Sequence, residues 1–235
     1  MIAIFQKEMT QYFTSLMGYI FIGIFTAISG IVFYLVNLAS LNSDIKSFFA
    51  SIIPFLIFLI PVVTMRIYAE ERKQKTEEML LTAPVEMRDI ILGKFFAALC
   101  LFLIPMAITF VFPVILHIYG TLEVYVVLGN YLGIILVASA FIAIGIFISV
   151  LSENQIIAAI LTYCVLISIF SVNKITMFVK HPIVEELVSF VSVNTHYVKL
   201  SYGILDFVDV AYFVSLTVLF LFFSTYVLDR KRVIS

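Results

Sequence analysis

The chain has 235 residues, 63% of them hydrophobic and only 12% charged, with fourteen bases against fifteen acids, whereas soluble proteins carry roughly 45–50% apolar and 25% charged residues. This composition excludes an ordinary water-soluble domain, and the lack of a basic stripe outside the membrane flanks disfavours nucleic acid as a partner. Six charge-free stretches, residues 9–43, 47–65, 95–122, 124–152, 154–173 and 210–228, hold most of the sequence; a helix needs about 20 apolar residues to cross some 30 Å of hydrocarbon.

Residues 1–15 repeat Ile2, Phe5, Met9, Tyr12, Phe13 and Leu16 at three- and four-residue spacing, with Lys7, Thr10 and Gln11 mostly on the other side. That pattern predicts an interfacial helix lying at the headgroup plane, or else the opening turns of the first span. Spans are predicted near 17–38, 48–66, 95–117, 126–150, 155–173 and 210–228, which makes an all-α membrane protein with six transmembrane helices in a single domain. Lys7, the six bases of the 66–94 loop and Arg230, Lys231 and Arg232 fall on one side; Lys46, Lys174, Lys180 and Lys199 fall on the other. The positive-inside bias therefore predicts a multi-pass protein of the cell (cytoplasmic) membrane with both termini cytoplasmic. The first apolar stretch is too long for a signal-peptide core, so no cleaved leader is expected. With no Trp, an aromatic belt must use Tyr. Cys100 and Cys164 sit inside spans and suggest neither disulfides nor a metal.

The 66–94 loop carries six bases and six acids. Its centre, Ala69 to Leu81, is made of strong helix formers, with Glu71 and Lys75 at a favourable i,i+4 spacing. Pro84 stops that helix, and a second one starts near Glu86 and runs into the third span. The plain reading is a solvated, salt-bridged loop; the active one is a short charged helix with an apolar Met79-Leu80-Leu81 edge that docks a soluble partner. In the external segment 174–209, Pro182 is placed to open an amphipathic surface helix too short to span. His196, Asp206 and Asp209 are spaced unlike any known metal-ligand pattern, so no metal is expected.

The run Glu70-Glu71-Arg72-Lys73-Gln74-Lys75-Thr76-Glu77-Glu78-Met79-Leu80-Leu81-Thr82-Ala83-Pro84 resembles the first cytoplasmic loop of ABC-2 type transporter permeases, with the closest flavour in the gliding-motility and nitrous-oxide-reductase-maturation type. The N-terminal Phe5-Lys7-Glu8-Tyr12-Phe13, the turn Ser152-Glu153-Asn154-Gln155 and the segment from His196 to Tyr212 agree with it. The resemblance implies a fold like that of type V exporters, with an N-terminal interfacial helix, six spans, a cytoplasmic coupling helix and short external helices before the last span. It implies a dimer with a second copy or a paralogue around a central path, in contact with membrane lipid. It also implies that a separate ABC ATPase, which carries the ATP and Mg, docks on Glu70, Glu71, Arg72, Lys75, Thr76, Glu77, Leu80, Leu81, Thr82 and Pro84, with Glu153 and Asn154 as a second contact. By the same analogy, Ser29, Asn37, Thr64 and Ser168 are the polar side chains that would face substrate, although interhelical packing explains such residues equally well.

The chain has no phosphate-binding loop of its own. Around Gly93-Lys94, Arg88 stands where the first glycine would be and Phe95 where Ser or Thr would be. The expectation is therefore a non-catalytic exporter subunit with no cofactor of its own. The alternative is a stand-alone ion-coupled carrier or channel. Such a carrier would need ionisable groups in the spans, and only His117, at an outer span end, comes near.

Overall fold

The computed structural model describes residues 1–73, 85–119, 123–174, 188, 192–204 and 206–234. Its main helices are α1 (Ile2–Thr14), α2 (Leu16–Phe33), α3 (Ile45–Thr64), α4 (Arg66–Lys73), α5 (Met87–Ile108), α6 (Val111–Tyr119), α7 (Val124–Leu151), α8 (Gln155–Ser171), α9 (Val193–Ser201) and α10 (Phe207–Ile234). Among the described residues, five stretches are long and apolar enough to cross a membrane: Leu16–Leu38, Ile45–Ala69, Met87–Ile118, Val124–Leu151 and Phe207–Arg232. The stretch predicted as a span over 155–173 forms an apolar helix of 17 residues, about 26 Å at 1.5 Å per residue. A 3-10 turn, Val172–Lys174, follows it.

The sequence chemistry accounts for where these helices start and bend. Ser15 is extended (φ −91°, ψ 155°) and separates α1 from α2, so the first fifteen residues form an element of their own. Asp44 starts α3 by accepting the Lys46 amide, three residues ahead of the predicted start. The third apolar stretch breaks at Thr109-Phe110 into α5 and α6. Pro113 has no amide hydrogen to give the Thr109 carbonyl, which accepts the Phe112 amide at 2.9 Å in a tighter turn instead. Aromatic packing holds the bend: Phe110 stacks on Tyr131 with ring centroids 4.1 Å apart, and Phe112 on Phe33 at 4.4 Å. The end of the first stretch widens to a π-helix, Tyr34–Leu38. There the buried Asn37 amide donates to the Asn42 and Asp44 carbonyls and closes the turn into α3.

Helix α7 is the central post. It packs against α3, α4, α5, α8, α9 and α10, while α1 and α2 lean on α5. Its small residues set the close approaches, because helices in lipid gain from tight packing rather than from hydrophobic expulsion. A methyl group on Gly145 would lie 2.7 Å from Thr64 Cβ and closer still to its hydroxyl. Gly145→Ala is expected to destabilise the protein by about 1–3 kcal/mol through overpacking. Adding Thr64→Ala removes the hydroxyl and methyl contacts but keeps Cβ at 2.7 Å, so it should recover only part of that loss, as read from thermal unfolding of the two variants in detergent.

Candidate functional site

The charged loop is rooted in a cluster of buried ions at one end of the helix bundle. Helix α1 presents Glu8, α4 presents Glu71 and α5 presents Lys94. The Lys94 ammonium lies 2.9 Å from Glu8 Oε1 and 2.8 Å from Glu71 Oε1, and donates to the Ile67 carbonyl at 2.8 Å. It is 1% exposed, and it lies over the Tyr68 ring, 4.7 Å from the centroid. Lys7 donates to Glu71 from the open side at 3.0 Å. Two lysines and two glutamates thus form a formally neutral group, and Lys94 uses all three of its ammonium hydrogens. Desolvating an ion is costly, so a buried ion remains charged only where partners surround it in this way.

The junction between α3 and α4 is stitched by α7. The last rung of α3 runs from the Met65 amide to the Pro61 carbonyl. The Tyr68 and Ala69 amides, among the unpaired donors of α4's first turn, donate instead to Ser149 Oγ at 3.2 and 3.4 Å. Ser149 in turn donates to the Met65 carbonyl. At the C-terminus of α7 the Val150 carbonyl accepts from Arg72 at 3.5 Å and from Lys231 at 2.8 Å, cations placed where a helix end is negative. Arg72 also reaches Glu153 at 3.9 Å. Burial, with Glu8 one turn away, pushes the Tyr12 hydroxyl well above its ordinary value, so it remains a donor. At the start of α5, the exposed Glu86 pairs with Arg88, which holds the Glu86 carboxyl below the usual range by hydrogen bond and charge.

These contacts place the sequence-predicted loop residues. Glu71 is buried against Lys94 and Lys7 and anchors the loop's root. Arg72 and the exposed Glu153, predicted from two separate segments, come together. Asn154 caps α8 by accepting the Ile156 amide at 2.9 Å. Glu70 lies in α4, whereas Lys75, Thr76, Glu77, Leu80, Leu81, Thr82 and Pro84 fall outside the described residues, as does the helix predicted after Pro182 apart from Val188. Of the four polar residues assigned to a substrate path, Ser29, Asn37 and Thr64 are buried within the chain. Thr64 donates to the Ile60 carbonyl. Only Ser168 is exposed, and its hydroxyl donates to the Cys164 carbonyl.

At the opposite end, the structure joins residues whose sequence spacing suggested nothing. His196 Nδ1 lies 2.6 Å from Asp209 Oδ1, with Lys199 at 3.8 Å from the same oxygen. The His196 ring stacks on Tyr212 at 4.1 Å. Asn130 of α7 donates to the Ser201 carbonyl and accepts from the Tyr197 hydroxyl. Helix α9 is thereby pinned to α7 and α10.

No curated relative matches the chain. The family model described as ABC-2 family transporter protein matches residues 31–228, from the end of the first apolar helix to the end of the last. The match takes in the 66–94 loop, Lys94 and the helices packed around α7, and the chain belongs to the ABC-2 family of transporter proteins, the membrane-embedded permeases of ABC transporters.

Proposed function

We propose that the chain is one half of a dimeric, ATP-driven exporter and that residues 70–84 dock the ATPase. The loop sequence suggests a subunit of the gliding-motility or nitrous-oxide-reductase-maturation type. In this reading six helices cross the membrane, with α8 as the short fifth span, α1 lies at the interface, and both termini face the cytoplasm. ATP and Mg bind to the partner ATPase. Ser168, on an exposed face of α8, is the one of the four polar candidates placed to meet substrate without repacking the chain.

The observation that carries the reading is the ionic root of the loop. Helix α4 follows α3 after Met65 alone, and Lys94 ties it to α1 and α5 while Ser149 ties it to α7. A push on the loop is therefore delivered to several helices at once instead of being lost in slack. A free solvated loop has no use for three buried ionic side chains at its base. The ion-coupled alternative draws no comparable support, because Lys94, Glu8 and Glu71 sit at a bundle end and saturate one another.

Glu77→Lys combined with Leu80→Asp is expected to cut co-purification of the ATPase at least about tenfold, the scale set by losing an interfacial anchor, with the yield of folded permease unchanged. Undiminished assembly would remove residues 70–84 from the interface. ATP-independent transport by the chain alone in proteoliposomes would favour the carrier instead.

A further inference from the structure

A cavity of about 290 Å³ opens between α1, α2, α3 and α4, beside the ionic cluster and with Glu71 at the root of the loop on its wall. Ligand pockets start at roughly 300 Å³, so it has room for a headgroup and the upper part of one chain, not for a bulky solute. The walls are divided by chemistry. Lys7 and Gln11 of α1, Ser15 after it and Arg66 of α4 supply the polar wall, and Ile20 and Ile24 of α2 with Leu59 and Val62 of α3 supply the apolar one. Ile20 and Ile24 are 42% and 44% exposed, so the apolar end opens on the outer side of α2, where the hydrocarbon of the bilayer lies.

Two donors at the polar end have capacity left. Among the described residues, Lys7 gives a hydrogen only to Glu71. Tyr12 also lines the cavity; it is only 8% exposed, and its hydroxyl has no hydrogen-bond partner among the described residues. A phenol on a cavity wall with no acceptor in the protein is free to donate to a ligand's oxygen.

We propose that this cavity is a phospholipid site, with a phosphodiester on the Lys7 ammonium and the Tyr12 hydroxyl and one acyl chain between α2 and α3. Lys94 and Lys7 offset the charges of Glu8 and Glu71, and Arg66, which also lines the cavity, adds a positive charge on the phosphate's side of the balance. A lipid seated there joins α1 to the two helices that precede the charged loop. The site does not depend on where the ATPase docks.

The test uses the full chain reconstituted in nanodiscs of equimolar phosphatidylglycerol and monogalactosyldiacylglycerol with matched acyl chains, followed by native mass spectrometry in detergent. One phosphatidylglycerol per chain should survive, in preference to the phosphate-free lipid. Tyr12→Phe with Lys7→Gln should lower its retention about tenfold, the loss expected for a hydrogen bond to a charged group. Ile24→Trp, which fills the slot without touching the polar end, should abolish retention even if Lys7→Gln disturbs Glu71. Phe222→Trp on the exposed face of α10 should not change it. Equal retention of the two lipids, retention that survives Ile24→Trp, or a dimer with no bound lipid because a second copy covers the cavity would each overturn the proposal.

Discussion

Replacing Lys94 by methionine is expected to cost about 3–5 kcal/mol, the usual penalty for removing one partner of a buried ion pair. For a chain of this size that corresponds to a fall in the unfolding midpoint of on the order of 10 °C. The loss comes less from the contacts of Lys94 than from what it leaves behind. Glu8 and Glu71 would face each other without their shared cation, and the Ile67 carbonyl would lose its donor. A triple variant, Lys94→Met with Glu8→Gln and Glu71→Gln, removes the charge together with its counter-charges and should recover most of the midpoint. It should still couple poorly to the ATPase, because α1, α4 and α5 would no longer share a directional tie. Thermal unfolding in detergent, together with ATPase activity of the assembled transporter, separates these effects. A midpoint for Lys94→Met within about 2 °C of the native protein, the scale of under 1 kcal/mol, would show that the ions carry no structural burden.

Gly129→Val should be nearly as damaging, for a steric reason at the other end of the bundle. A Cβ on Gly129 would press on the Leu200 carbonyl oxygen and lie 3.0 Å from Gly203 Cα. Both are backbone atoms and cannot swing aside as a side chain would. Gly203 itself holds φ at +77°, a left-handed conformation that glycine adopts without strain, so the turn after α9 has no easy alternative geometry. Overpacking of this kind costs about 1–3 kcal/mol, and losing the Asn130 bond to Ser201 adds about 1 kcal/mol. The expected readout is global destabilisation together with faster maleimide labelling of a cysteine placed at Ser201, now buried. Gly23→Ala is the matched control. Nothing lies within 4 Å of its would-be Cβ, and alanine in a helix should stabilise by roughly 0.5–1 kcal/mol. Equal behaviour of the two variants would disprove the close approach at Gly129.

The long apolar helices are legible in the sequence because a charge inside hydrocarbon is so costly that its absence marks each stretch. The starts of α3, α4 and α10 are less so: Lys46, Arg66 and Asp209 sit within helices whose ends are held by local caps and partners that a charge map treats as boundaries. The break at Thr109-Phe110 could have been foreseen from Pro113, but its bend is fixed by Tyr131 and Phe33, which are distant in sequence. The ionic root was hidden for the same reason. Lys94 lies 86 residues from Glu8, and each looked like an ordinary flanking charge. Ser149 gave no signal at all, since a lone serine in an apolar helix is usual and its role depends on a helix end supplied by another segment. In the sequence His196 and Asp209 stand thirteen positions apart and fit no ligand spacing, so their pairing, which holds α9, follows only from the fold.

The order in which a ribosome delivers these residues gives the ionic root a further meaning. Lys7, Glu8 and Glu71 all precede Lys94 in the chain, so until α5 is made Lys7 is the cation of this cluster that stands beside the two carboxylates. The neutral cluster is complete only once residue 94 has been delivered.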